Sequence, residues 1–482
     1  MKSISFAKII PGIILIICVF SLAFWFSSTY HTGIVSERVP EKDPEQSAAA
    51  KDQQVVSSSP GTELLPAQQS PTGSIATSGA AEPPSIPGSW TCFRGGSLDN
   101  ISLDTTPLAT QWKSGEPRIL WAMDVGEGHA GVSIANSRVY LLDYDRTAQA
   151  DVLRCLSFAD GKELWHYSYP CSLKRNHGMS RTVPAVSGKY VVSLGPKCNV
   201  LCADATTGRI YWTMDLVKQY GTVVPPWYAG QCPIIDGDRA IIAPAGSALM
   251  IAVDCASGKV VWQAPNPDRW SMTHSSIVPM TLGGKKMYIY CGSAGVAGVS
   301  AQDGSILWKT SAWKVKIANV PTPVVIGDGR IFLSGGYNAG SMMLRINERG
   351  GKFSAVPVFS LKSSVFGSDQ QTPIYYRGYI YGVIPGGQLV CLDLNGKQVW
   401  NSGAARFGLG PYAIAGGMMY VMNDMGALSL VSATNAGYKS FAQARILSGH
   451  DSWGPMAIAG GRLIARDLAR MVCIDISKHN KN

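Results

Sequence analysis

A short pattern, repeated through most of the chain, restricts the fold more than any other feature. Its clearest copies are Asp204-Ala-Thr-Thr-Gly208-Arg-Ile-Tyr-Trp212 and Asp254-Cys-Ala-Ser-Gly258-Lys-Val-Val-Trp262. Ser157 to Trp165 and Ser300 to Trp308 keep the spacing with Ser in place of Asp, and Asp393 to Trp400 is one residue shorter before its Gly. Each copy reads as a hairpin: an apolar strand, an Asp or Ser able to bond nearby backbone, a Gly supplying positive φ, and a second strand ending in Trp. A large aromatic recurring at one register gives a sheet with no core of its own something to bury against its neighbour.

The tryptophans count the units. Trp121, Trp165, Trp212, Trp262 and Trp308 are 44, 47, 50 and 46 residues apart, and Trp400 lies 92 further on, two such steps. The hidden unit has Arg345-Ile346-Asn347 before its turn, Gly351 in the turn and Ala355 in the expected Trp position. A second degenerate unit has Leu430-Val431, Gly437 and, in the Trp position, Phe441. Val472 to Asp475 is then a strand with no partner after it, and Ile119 to Trp121 is one with no partner before it. Joining these ends closes an all-β, eight-bladed β-propeller of four-stranded antiparallel blades, the N-terminal strand completing the last blade and leaving no open sheet edge. Innermost strands opening at Val132, Pro184, Pro233, Pro279, Pro323, Pro373, Pro411 and Pro455 give the same count, since proline at the first position of a strand forfeits no ladder bond.

Ahead of the repeats, Lys2 and Lys8 precede an apolar run from Ile9 to Phe26. As a helix it is about 27 Å long, close to the roughly 30 Å of a bilayer's hydrocarbon core. It reads as a transmembrane signal-anchor over residues 1–26, with Phe24, Trp25 and Phe26 at the interface. Its positive flank predicts a single pass through the inner (cytoplasmic) membrane, with the propeller on the periplasmic or extracellular side. A cleaved signal peptide, cut near Ser21 and Ala23, is the alternative. Residues 27–88, rich in Ser, Pro, Ala and Gln, read as a disordered linker, followed by the propeller over 89–476 and a tail over 477–482. The net charge is +10, but Lys and Arg are scattered singly, so no nucleic-acid partner is expected.

At its repeats the chain resembles the PQQ-repeat (PQQ-binding-like) β-propeller superfamily. Trp90-Thr-Cys-Phe93-Arg94-Gly95, Gly295 to Val299 and Ser448 to Pro455 resemble a bacterial, membrane-anchored branch. The superfamily includes quinoprotein dehydrogenases and the propeller lipoprotein of outer-membrane protein assembly. Resemblance to the dehydrogenases implies PQQ with calcium, a vicinal disulfide over the cofactor and a catalytic Asp. The chain has no adjacent cysteines and no Cys-x-x-Cys-His, and the calcium ligands find no match. No cofactor is therefore certain, PQQ with calcium staying open. Cys155, Cys202, Cys391 and Cys473 stand where other units place Ala252 or Gly298, which reads as a tight slot for buried thiols. Cys92, Cys171, Cys198, Cys232 and Cys291 remain candidate disulfide partners.

Loops leading into the innermost strands rim one mouth of a propeller's channel, where a ligand site would form. Just before the strand openings stand His129, Arg181, Trp227, Tyr228, His274, Asn319, Asp369, Gln370, His450, Asp451 and Trp453. Together they read as a polar, partly aromatic pocket for an anionic small molecule, a quinone-like ring or a peptide. Taken singly, each reads as a residue bonding loop backbone. The three histidines lack the spacing of a metal site, so none is expected. The function expected is a non-catalytic platform binding a protein, peptide or envelope polymer through propeller loops. The alternative is a PQQ-dependent dehydrogenase with a divergent site.

Overall fold

The computed structural model describes residues 72–79, 81–112 and 115–478. The apolar run from Ile9 to Phe26 lies outside them, so the expected membrane helix does too. Among the described residues no helix is long and apolar enough to cross a membrane.

Eight antiparallel sheets follow one another along the chain. The first blade runs outward from Val132–Ala135 through Arg138–Asp145 and Ala150–Ser157 to Glu163–Pro170. The innermost strands of the next six blades are Ala185–Ser187, Ile234–Asp236, Val278–Leu282, Val324–Val325, Ile374–Tyr376 and Tyr412–Ala415. The eighth blade combines Ala457–Ala459, Arg462–Arg466 and Arg470–Asp475 with Ile119–Asp124, with Trp121 opposite Cys473. Its innermost strand abuts that of the first blade, so the ring closes as the unpaired ends require.

The repeat has a physical explanation at the seam between blades. The indole N–H of Trp121, Trp165, Trp212 and Trp262 donates to the carbonyl of Phe158, Ala205, Cys255 and Ala301, each in the turn of the following blade. The turn glycine lies against the same ring: a Cβ on Gly208 would come within 2.7 Å of Trp165, and one on Gly258 within 2.7 Å of Trp212. Asp204 and Asp254 hold those turns by accepting from Thr207 N and Ser257 N at 2.8 Å.

Two Trp-position assignments need correction. In the fifth blade the residue on the seam is Phe359, whose ring lies 2.8 Å from a Cβ built on Gly396. It pairs with Met343 just before the bulge, where the tryptophans of other blades stand, whereas Ala355 pairs with Ile346 further along. In the seventh blade the equivalent pair is Leu430 with Ala442, not Phe441.

Two segments ahead of the ring attach to it. Ser74–Thr77, inside the stretch expected to be linker, adds an antiparallel fifth strand to the outer edge of the first blade. Residues 90–104 cross the channel. Trp90 exchanges backbone bonds with Ile134, Thr91 O accepts from Val186 N, and Arg94 donates to Pro373 O. Ile101–Ser102 then pairs in parallel with Tyr412–Ala415. The contacts reach blades on opposite sides of the axis, so this segment is a plug. Arg94, Leu98 and Asn100 take positive φ of 68°, 59° and 62° to turn inside it. All ten cysteines among the described residues are buried free thiols.

Candidate functional site

The plug leaves beside it, at the channel mouth, a cavity of about 130 Å³. Phe93 and Asn100 of the plug contribute to its lining, with His129, Arg181, His274, Gln370, Trp453 and Tyr412 among the residues around them. Each of these last comes from a different blade or the loop before it, which is why they are far apart in sequence.

Five of the eleven residues expected at the mouth therefore converge: His129, Arg181, His274, Gln370 and Trp453. The His129 ring stacks on Trp453 with centroids 5.2 Å apart, and Trp453 Nε1 donates to Asp424 at 2.8 Å. Arg181 donates to the carbonyls of Asn176, His177 and Gly178, holding its own loop. Burial lowers its pKa to about 10. Burial, aided by Arg181, pushes both His129 and His274 down to about 3, so each imidazole is neutral. His129 Nδ1, His274 Nε2 and Gln370 Nε2 have no hydrogen-bond partner.

The other six do not line the cavity. Trp227 stands beside His274, ring centroids 6.2 Å apart. Tyr228 is buried with its hydroxyl bonded to the backbone of Lys174. Asn319 is buried behind the lining with neither amide atom partnered. Asp369 is set back against Gly336, its carboxyl raised by burial. His450 points outward beside Asp451, 3.2 Å away. The sequence reading missed the plug residues Phe93 and Asn100. Their signal was present: the Trp90 to Gly95 motif lies ahead of the first strand and so belongs to no blade.

PQQ with calcium would need oxygen ligands, carboxylates foremost. The cavity lining contains no Asp or Glu, and among the described residues no three His, Cys, Asp or Glu stand together as a metal site. The residues present do not fit that pair.

A closed ring of eight four-stranded blades with a Trp–Gly seam defines an eight-bladed β-propeller, and the repeats of this chain are similar to those of the PQQ-repeat family. Residues 148–382 match the family described as outer membrane protein assembly factor BamB. The chain is 22% identical over 355 residues to the outer membrane protein assembly factor BamB of Moranella endobia, covering 71% of this chain and 76% of that protein. In structure it is similar to BamB from Moraxella catarrhalis, with a TM-score of 0.54 at 14% identity, covering 76% of this chain and all of that one. A europium-containing methanol dehydrogenase gives 0.57 at 13% identity over 80% of this chain and 89% of its own. At such identities the structural likeness establishes the fold alone.

The expected placement as a single-pass inner-membrane protein is overturned. The relative is named for the outer membrane, no membrane-crossing helix occurs among the described residues, and the apolar run that suggested one lies outside them.

Proposed function

We propose that this chain is a non-catalytic polypeptide-binding platform acting in outer membrane protein assembly. The reading takes residues 89–476 as the working domain, with Ser74–Thr77 added to its first blade, carried behind an N-terminal segment to residue 26 and a linker that starts at 27. The observation that carries it is the chemistry of the mouth. The cavity is lined by uncharged polar side chains, rings and one arginine, with no carboxylate. Its histidines, with pKa values near 3, are poor proton acceptors at neutral pH. Burial keeps Cys232 a thiol, its pKa raised to about 11. Groups of this kind hold a ligand better than they transform one. The name of the curated relative supplies the class of partner.

Fluorescence anisotropy tests the proposal, with a labelled outer-membrane β-barrel protein diluted from urea into the purified chain. Lys314, Lys316 and Lys362 are exposed on loops leading into innermost strands; saturable binding, weakened about tenfold by the triple reversal Lys314→Glu, Lys316→Glu and Lys362→Glu, is the expected outcome, a loss of about 1.4 kcal/mol. Absence of saturable binding would contradict it, as would dye reduction in the presence of PQQ, calcium and methanol.

A further inference from the structure

The geometry points to the mouth cavity as a receptor for a side-chain carboxylate of an extended acidic peptide, with Arg181 and Gln370 as its donors. The inference rests on the platform reading and specifies what the platform grips.

Three observations carry it. The first is a guanidinium with no counter-ion at the cavity. Arg181 lines the cavity and donates only to backbone carbonyls of its own loop, so its charge faces no carboxylate there. Two carboxylates beside lining residues are engaged elsewhere: Asp424 accepts from Trp453 Nε1 and from Leu409 N, and Asp369 lies against Gly336. A half-buried arginine without a counter-ion gains when an anion meets it.

The second observation is that unpartnered polar atoms gather at this cavity. His274 is only 8% exposed, lines the cavity and leaves Nε2 without a partner. Gln370 Nε2 is likewise unpartnered on the lining. A carboxylate has about four lone-pair directions and can meet the guanidinium and the amide N–H together, while the neutral His274 ring, whose proton is given to the Tyr228 backbone, contributes a wall.

The third is the ground around the opening. Lys174, Lys314, Lys316 and Lys362 stand exposed on the loops that lead into the innermost strands. They have no ion pair among the described residues, unlike Arg175, which is bridged to Glu127. Cations around such a hole attract an acidic chain and orient it before contact. Phe93, Tyr412 and the stacked His129–Trp453 pair supply apolar walls for the stem of the inserted side chain.

Calorimetric titration of the full chain tests the inference with two five-residue peptides, acetylated and amidated, identical but for a central Glu or Gln. Free glutarate forms a third arm. The Glu peptide is expected to bind about tenfold more tightly than its Gln twin, the scale of a charge-assisted contact. Glutarate is expected to compete, but more weakly than the Glu peptide binds. Arg181→Gln and Gln370→Leu are each expected to cut the preference to below about threefold. Arg181 also holds its loop, so Gln370→Leu, whose amide N–H has no partner to lose, is the variant that separates recognition from folding. Equal binding of the two peptides, a preference that survives Gln370→Leu, or glutarate binding as tightly as the Glu peptide would overturn the inference. If the unfolded barrel protein still binds while the two peptides do not differ, the carboxylate inference fails and the platform reading stands.

Discussion

At Gly258 the chain asks two things of one residue. Its φ of 72° lies in the left-handed region, and its α-carbon lies so close to Trp212 that a Cβ would come within 2.7 Å of the ring. Gly258→Ala should therefore destabilise the protein by more than the roughly 1 kcal/mol of the backbone term alone. Trp212→Ala should cost about 3–5 kcal/mol through the cavity it leaves. Urea unfolding monitored by circular dichroism checks both. This pairing was legible in the sequence because Gly and Trp keep a fixed spacing in successive units. Asp151 was not legible, since nothing in its neighbourhood marks it as buried. It is fully buried, accepts from Tyr169 OH, and burial raises its pKa to about 7. An unfolded Asp ionises near 4. The stability held by the protonated acid is thus complete below about pH 4 and is lost as pH rises through about 7. His129 and His274 act in the opposite sense: with folded values near 3, they favour the folded state above about pH 6.5 and withdraw that support as pH falls. Stability measured from pH 4 to 8 in Asp151→Asn should rise more steeply with pH than in the parent, because the opposing acid is gone. An unchanged slope would exclude a protonated Asp151.

Hairpin length explains the misplaced element. The sequence reading located the fifth blade's seam residue by counting from the turn at Gly351, as in other units. The strands Gly340–Arg349 and Lys352–Leu361 are ten residues each and carry their turn further from the bulge. The aromatic required at the seam, Phe359, is consequently displaced from the position counted. Bulge position, which depends on pairing, fixes the register, and pairing is not visible in one strand's residues. Ser74–Thr77 was missed for a related reason: four residues in a Ser- and Ala-rich stretch have no period to detect, and they become a strand only because the edge of Glu163–Pro170 is there to bond them. Deleting residues 72–79 should speed amide exchange along that outer strand, with little change in the inner strands of the same blade. Mass-spectrometric exchange would show it, and loss of protection throughout the blade would contradict it.

For the whole molecule, ring closure was readable because two unmatched half-hairpins demand one another, and the structure joins Trp121 to Cys473. The mouth was readable only in part. Position relative to a strand opening says which loop a residue occupies, and it gathered His129, Arg181, His274, Gln370 and Trp453. It does not say whether a side chain turns toward the axis, so Tyr228 and His450 were grouped with them although one bonds a neighbouring loop and the other faces solvent. The plug escaped because channel-filling residues share no period with the blades. Trp90→Ala keeps the backbone bonds to Ile134 but removes the buried indole packed against Gly95 of the plug, and should lower the melting temperature while weakening ligand binding at the mouth, since the plug's Phe93 and Asn100 line the cavity. Thermal unfolding and peptide titration of that variant test the link.

Hydrogen–deuterium exchange of the full chain, with and without the saturating Glu peptide, tests most directly that the plugged mouth is where this propeller holds its partner. The account predicts added protection in the loops at 171–184, 266–277 and 362–373 and in the plug at 90–104, with the hairpin turns on the far face unchanged. Protection confined to those far turns, or to the outer strands of the blades, would contradict it.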